Sequence, residues 1–180
     1  MDTRDKILKI STELIRKGGY NSFSFRDLAQ KSGIKSSSVH YYFPTKSDLV
    51  VELIKNYEKS FFEKLEYDTR AEVSASKKVL ALIKMYQVSL ENDLNCLCGA
   101  LASEIELLSK KEKLSVLSFF DKMQIWIINA LKNQKLSSGL DSSELASIVM
   151  SSLNGALVLD KVQKSKSKLV TVKKFVEISF

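Results

Sequence analysis

Apolar residues recur along this chain at intervals of three and four, the spacing that lines one face of an α-helix. Ile7, Ile10, Leu14 and Ile15 open the pattern, and the run Gly18-Gly19-Tyr20 stops it. Ser24 then stands as an N-cap before Phe25, Leu28 and Ala29, which share one face, and Gly33 ends this second short helix. Ile34, Val39 and Phe43 are expected to face inward on a third helix, which Pro44 prevents from continuing. Thr45, with Asp48 three positions later, forms a capping-box-like pair that starts a fourth helix through LVVELIKNYEKSFFEKLE. The length of that helix suits a link between two halves of a molecule.

Helical periods continue near 73–91, 97–109, 111–135, 142–163 and 168–180. The clearest of these starts is Asp141 with Glu144, which follows the turn signal SSG and precedes Leu145, Ile148, Val149, Leu153, Ala156 and Leu157. One proline and six glycines in 180 residues agree with an all-α chain, because helix interiors tolerate few of either. No repeat, low-complexity run or flexible linker interrupts it.

A hydrophobic content of 44% is enough for a buried core, yet no apolar run approaches the eighteen residues of a membrane span. The opening MDTRDKILK has neither an apolar stretch nor a small-residue cleavage site, so a soluble cytoplasmic protein without a membrane partner is expected. Cys96 and Cys98, the only cysteines, lie one residue apart and close no useful loop. The net charge is +7, and residues 1–50 carry nine basic groups against five acidic ones. This surplus at the front favours a polyanionic partner. Six lysines between Lys161 and Lys174 fit a solvated connection between helices.

Residues 35–46, KSSSVHYYFPTK, gather the only histidine, the only proline, three serines and two tyrosines. Catalysis would need a base and a nucleophile within reach, and His40 has no acidic residue among its close neighbours in sequence. His40, Cys96 and Cys98 have no spacing that resembles a metal site. Neither an enzyme nor a cofactor is expected, although a helical enzyme and a helical protein that meets an acidic partner remain alternatives. On a short helix from about Ser36 to Tyr42, Ser37, His40 and Tyr41 share one face, with Ser38 and Tyr42 beside them. Small hydroxyls at the start of such a helix can approach base edges or phosphates, while tyrosine hydroxyls and imidazole can donate to phosphates. Lys46, in the first turn of the next helix, is badly placed for the helix dipole unless an anion binds there.

Residues 3–50, TRDKILKISTELIRKGGYNSFSFRDLAQKSGIKSSSVHYYFPTKSDLV, closely resemble the DNA-binding region of the tetracycline-repressor (TetR) family of bacterial transcription regulators. The elements recur in order: an amphipathic first helix, GY, FSFRDLAQKSGI, SSSVHYYF and PTKSDL. The resemblance implies an N-terminal three-helix helix-turn-helix unit over residues 1–47, joined by a long helix to a C-terminal helical domain over 48–180 that binds a ligand and dimerises. It implies a repressor that binds a palindromic double-stranded DNA operator as a homodimer and is released by a small-molecule effector. Ser24 and Arg26 would touch the backbone or an adjacent base, and Ser36, Ser37 and Ser38 would lead the recognition helix into the groove. His40, Tyr41 and Tyr42 occupy the slots of the family's Tyr-aromatic-His pattern, with the histidine moved from third place to first. Lys46 matches a phosphate-binding lysine.

Beyond about residue 70 the shared pattern ends. Tyr86, Phe119, Phe120, Met123 and Trp126 are candidates to line an effector pocket, with an ordinary helix core as the competing use of such spacing. Cys96 and Cys98 leave two uses open, a sensor of oxidants or inert packing. Small Ser151, Ser152, Gly155 and Ala156, with apolar Leu153, Leu157, Leu169, Phe175, Val176 and Phe180, point to the last two helices as the dimer surface.

Overall fold

In a computed structural model, which describes residues 2–70, 74–132, 134 and 136–180, every regular element among the described residues is helical, as the spacing predicts. These are α1 (Thr3–Gly18), α2 (Phe25–Ser32), α3 (Ser36–Tyr42), α4 (Lys46–Asp68), α5 (Ala75–Glu91), α6 (Leu97–Ala102), α7 (Lys110–Leu131), α8 (Ser142–Gln163) and α9 (Ser167–Ile178). Residue 73, the expected start of α5, and residues 133 and 135 beyond α7 lie outside the described residues. The helix expected over 97–109 is instead divided: α6 stops at Ala102, and a single 3-10 turn at Ile105–Leu107 follows.

The chain forms two compact units, Met1–Ser60 with Cys96–Phe119, and Phe61–Asn95 with Phe120–Phe180. In the first unit α1 packs on α2 and α6, and α2 packs on α3. The break after α6 coincides with a contact to the end of α1. Glu104 leaves helical geometry, with φ −116° and ψ 33°, and its Oε1 accepts the Tyr20 N–H at 2.9 Å just past the end of α1. Gly19 makes that approach possible. Its φ is +81°, which favours glycine, and a Cβ there would stand 1.8 Å from Glu104 Oε1. Gly33 closes α2 in the left-handed region at φ +66°, which turns the chain tightly into α3.

In the second unit α8 packs on α5 and α9. Its start is the expected capping box: Asp141 accepts the Ser143 and Glu144 N–H groups at 2.7 and 2.8 Å, and Glu144 accepts the Asp141 N–H at 2.9 Å. Among the described residues α8 is the helix long and apolar enough to cross a membrane. It is nevertheless a core helix, with Leu145, Val149, Leu153 and Leu157 buried inside the unit. Leu153, Ala156, Leu157, Leu169 and Val176, expected on a dimer surface, are therefore interior residues. The outward face of α8 carries Ile148, Ser151, Gly155, Val158, Leu159 and Val162 instead, a stripe at helical spacing.

Asp160 is fully buried near the end of α8 and holds the start of α9. Its carboxylate accepts Leu169 N–H at 2.9 Å, Lys168 N–H at 3.0 Å and the Ser165 hydroxyl at 2.7 Å. Burial alone would raise its pKa, but these three donors outweigh burial and hold the carboxyl below the usual aspartate range. Asp160→Ala, which strands the two backbone donors, should cost about 2–4 kcal/mol in urea unfolding at pH 7. Because the folded-state pKa is the lower one, the contribution is complete above the unfolded value and fades as pH falls through the folded value. The gap between wild type and variant should therefore narrow in acid.

Candidate nucleic-acid interface

Seven residues make α3, and its N-cap, Lys35, supplies no side-chain hydrogen bond. The helix is held from one side by Val39, fully buried, and by Phe43 just after it. Ser36, Ser37, His40 and Tyr41 are left exposed, with Ser38 and Tyr42 half-buried. The expected polar face is thus present. Ser37, Ser38, Tyr41 and Tyr42 line a shallow recess of about 390 Å³ together with Ile34 and Thr3. Ile34, expected in the core, is only half-buried and forms part of that wall. Thr3, the first residue of α1, has no sequence signal and is placed here by the packing of the unit.

The aromatic tips are ordered by each other. Tyr41 is 82% exposed and meets the Tyr42 ring edge-on at 5.2 Å. The His40 ring stands 4.8 Å from that of Phe25 in α2, also edge to face. Ser24 caps α2, its hydroxyl donating to Asp27 Oδ2 at 2.7 Å and accepting the Asp27 N–H at 3.2 Å. The Ser24 hydroxyl first, then its N–H, hold the Asp27 carboxyl below its usual range, with Arg26 adding to the effect. Arg26 itself is exposed at the start of α2.

Lys46 is turned inward. Its ammonium donates to the Phe23 carbonyl at 2.9 Å and lies 4.5 and 4.6 Å from the centres of the Tyr20 and Phe23 rings. Burial lowers its pKa, against the raising effects of Glu112, Glu104 and Asp27. Burial and then Glu112 push the Tyr20 hydroxyl up to about 12. The lysine predicted to hold a phosphate is accordingly set in an aromatic cradle.

Residues 7–53 match the family model for bacterial regulatory proteins of the tetR family, and residues 73–175 match that for the C-terminal domain of LmrA/YxaF-like transcriptional regulators. The chain belongs to the tetR family. It is similar to the fatty acid metabolism regulator protein of Bacillus subtilis, 24% identical over 78% of this chain and 69% of that protein. It is also similar to the HTH-type transcriptional regulator YxaF of the same organism, 23% identical over 95% of this chain and 91% of that protein. The crystal structure of a TetR transcriptional regulator from Legionella pneumophila superimposes with a TM-score of 0.90 at 28% identity, covering 98% of this chain and 96% of that one. This tetR-family chain is a DNA-binding transcription regulator, and α2 and α3 are its helix-turn-helix.

The residues expected around an effector in this TetR-family protein are divided between the two units. Phe119 is fully buried in the first unit, with its ring 5.7 Å from that of Tyr57. Tyr86 and Met123 are buried in the second, where the Tyr86 hydroxyl lies 3.9 Å from Met123 Sδ and accepts from Asn154 Nδ2 at 3.3 Å. Trp126 and Phe120 are half-buried there as well. Cys96 and Cys98 sit in the core of the first unit at the start of α6. Burial foremost, then Cys96 and Glu58, push the Cys98 thiol well above its ordinary value. A buried thiol held in its protonated form reacts slowly with electrophiles. A thiol-disulfide reagent such as DTNB should leave both cysteines of the native protein unmodified over minutes at pH 8 and titrate both after unfolding.

Proposed function

We propose that this regulator is a cytoplasmic repressor that binds a palindromic duplex operator as a homodimer and leaves it when a small-molecule effector binds. The observation that carries the reading is the recess on α3, where serines of the first turn lie beside exposed Tyr41 and half-buried Tyr42 on a helix short enough to enter a major groove. Residues 1–47 form the DNA-reading domain, and residues 48–180 take the effector and the second protomer. Ser36, Ser37 and Ser38 approach base edges. Ser24, Arg26, His40, Tyr41 and Tyr42 flank them toward the phosphates. Lys46 anchors a phosphate through the donors of its ammonium that Phe23 does not use. Lys46→Ala should weaken binding to operator and to random DNA by similar factors and reduce the log-log salt slope by about one unit. Unchanged binding at every salt concentration would remove Lys46 from the interface.

The effector is a mostly apolar or aromatic small molecule held among the helices of residues 73–135, with Tyr86, Phe119, Met123 and Trp126 as its candidate contacts. It can release DNA only through a difference in affinity between two states of the protein, typically about 1–3 kcal/mol of coupling. The second protomer covers the stripe on α8, where exposed Ile148, Val158, Leu159 and Val162 flank Gly155, and the end of α9, where Ile178 is exposed. Two heads related by a two-fold axis then read half-sites about 34 Å apart, or at a related whole-turn spacing. A Cβ at Gly155 meets no atom within 4 Å in the single chain. Gly155→Arg should therefore fold normally but obstruct the partner. Light scattering at micromolar concentration should give a dimer for wild type and a monomer for this variant, with operator affinity reduced at least about tenfold.

A further inference from the structure

The environment of Lys46 contains a charge that the interface does not account for. Glu112, in the first turn of α7, is fully buried. Its Oε2 accepts the Ser109 N–H at 2.6 Å and caps α7, while Oε1 makes no hydrogen bond of full geometry and has the Tyr20 hydroxyl as the donor beside the carboxylate. A buried carboxylate oxygen left without a donor is costly unless a positive charge compensates it. The neighbouring lysines of α7 are engaged elsewhere, Lys111 with Asp48 at 2.7 Å and Lys113 with Glu106 at 3.7 Å. Tyr20 connects the carboxylate to Lys46: its ring lies under the ammonium, and its hydroxyl is raised by Glu112. Ser47 and Ser109 share a hydrogen bond of 2.7 Å, which fixes the first turn of α4 against that of α7.

We propose that Glu112 is the intramolecular counter-charge of Lys46, taking from the protein side the role that a DNA phosphate takes from the other and thereby restraining affinity for DNA. The proposal rests on the assignment of Lys46 as a phosphate anchor. To reach a phosphate the ammonium must give up part of its attraction to this carboxylate. Glu112 rides on α7, so a displacement of that first turn changes how much of the Lys46 charge DNA can use.

The test is a double-mutant cycle on the full-length protein, with affinity for operator and for random duplex measured in Glu112→Gln, Lys46→Met and the double variant. Glutamine retains the acceptor that caps α7, so the fold should persist by circular dichroism. Glu112→Gln should tighten binding to both duplexes about three- to tenfold when Lys46 is present and have no effect when Lys46 is methionine. Equal tightening in both backgrounds would mean simple long-range repulsion between Glu112 and DNA and would overturn the proposal, as would unchanged or weaker binding. If Lys46→Met alone leaves affinity intact, the phosphate-anchor assignment itself fails, an outcome separate from a null Glu112→Gln result with Lys46 effective. Should Glu112→Gln not fold, Glu112→Ser, a smaller uncharged acceptor at the same position of the first turn, carries the same cycle with the same outcomes.

Discussion

A helix of two turns does not persist in water on its own backbone hydrogen bonds, and α3 has only seven residues. Everything that this helix presents depends on apolar burial behind it. Val39 and Phe43 are the anchors, each contributing about 1.5–3 kcal/mol by burial. Phe43 is covered in turn by the Arg4 guanidinium, 5.5 Å from its ring centre, and Arg4 pairs with Glu52 of α4 at 3.1 Å. The spacing of Ser37, Ser38, Tyr41 and Tyr42 is therefore inherited from α1 and α4, which do not belong to the helix-turn-helix. Rigid presentation is what a base-reading surface requires, because an ordering cost deferred to the moment of binding subtracts from affinity.

Among the described residues two carboxylates are fully buried, and they show how differently one chemical group can be used. Asp160 has a donor for each of its oxygens and is a structural pin between α8 and α9. Glu112 has one oxygen held by the Ser109 N–H and the other without a full hydrogen bond, with only the Tyr20 hydroxyl beside the carboxylate. A completed polar network rigidifies its surroundings, whereas an incomplete one stores a bias that a nearby charge can relieve. The first belongs to the stability of its unit, and the second leaves a negative charge in the surroundings of Lys46.

Features set by neighbours along the chain are legible in the sequence. The caps at Ser24, Thr45 and Asp141, the turn at Gly33 and the polar face of α3 each depend on residues within about one helical turn. Long-range contacts are not legible in this way. Glu104 meets Tyr20 across 84 positions, and no local pattern announces that a carboxylate will end α6 early. Lys46 reads from its position as a cation awaiting an anion, but its inward turn depends on Tyr20, Phe23 and Glu112, which come from other segments. On α8 apolar residues occupy both faces, so periodicity alone does not separate Leu153 and Leu157 inside from Leu159 and Val162 outside. Aromatic spacing has the same ambiguity at Tyr86 and Phe119, since a packed core and a ligand wall use the same residues.

The unit that contains the helix-turn-helix is discontinuous along the chain, closing only with residues 96–119. During synthesis a nascent chain that has emerged to residue 60 has its three short helices but lacks Glu104 to receive the Tyr20 N–H, Ser109 to meet Ser47 and Lys111 to pair with Asp48. Contacts of such separation form late, because the intervening chain must be ordered first. The basic head therefore reaches its finished form only after the first part of α7, to Phe119, has left the ribosome, by which time residues 61–95 of the second unit are available to fold as well. A truncated product released early carries the positive charge of the head without its completed scaffold.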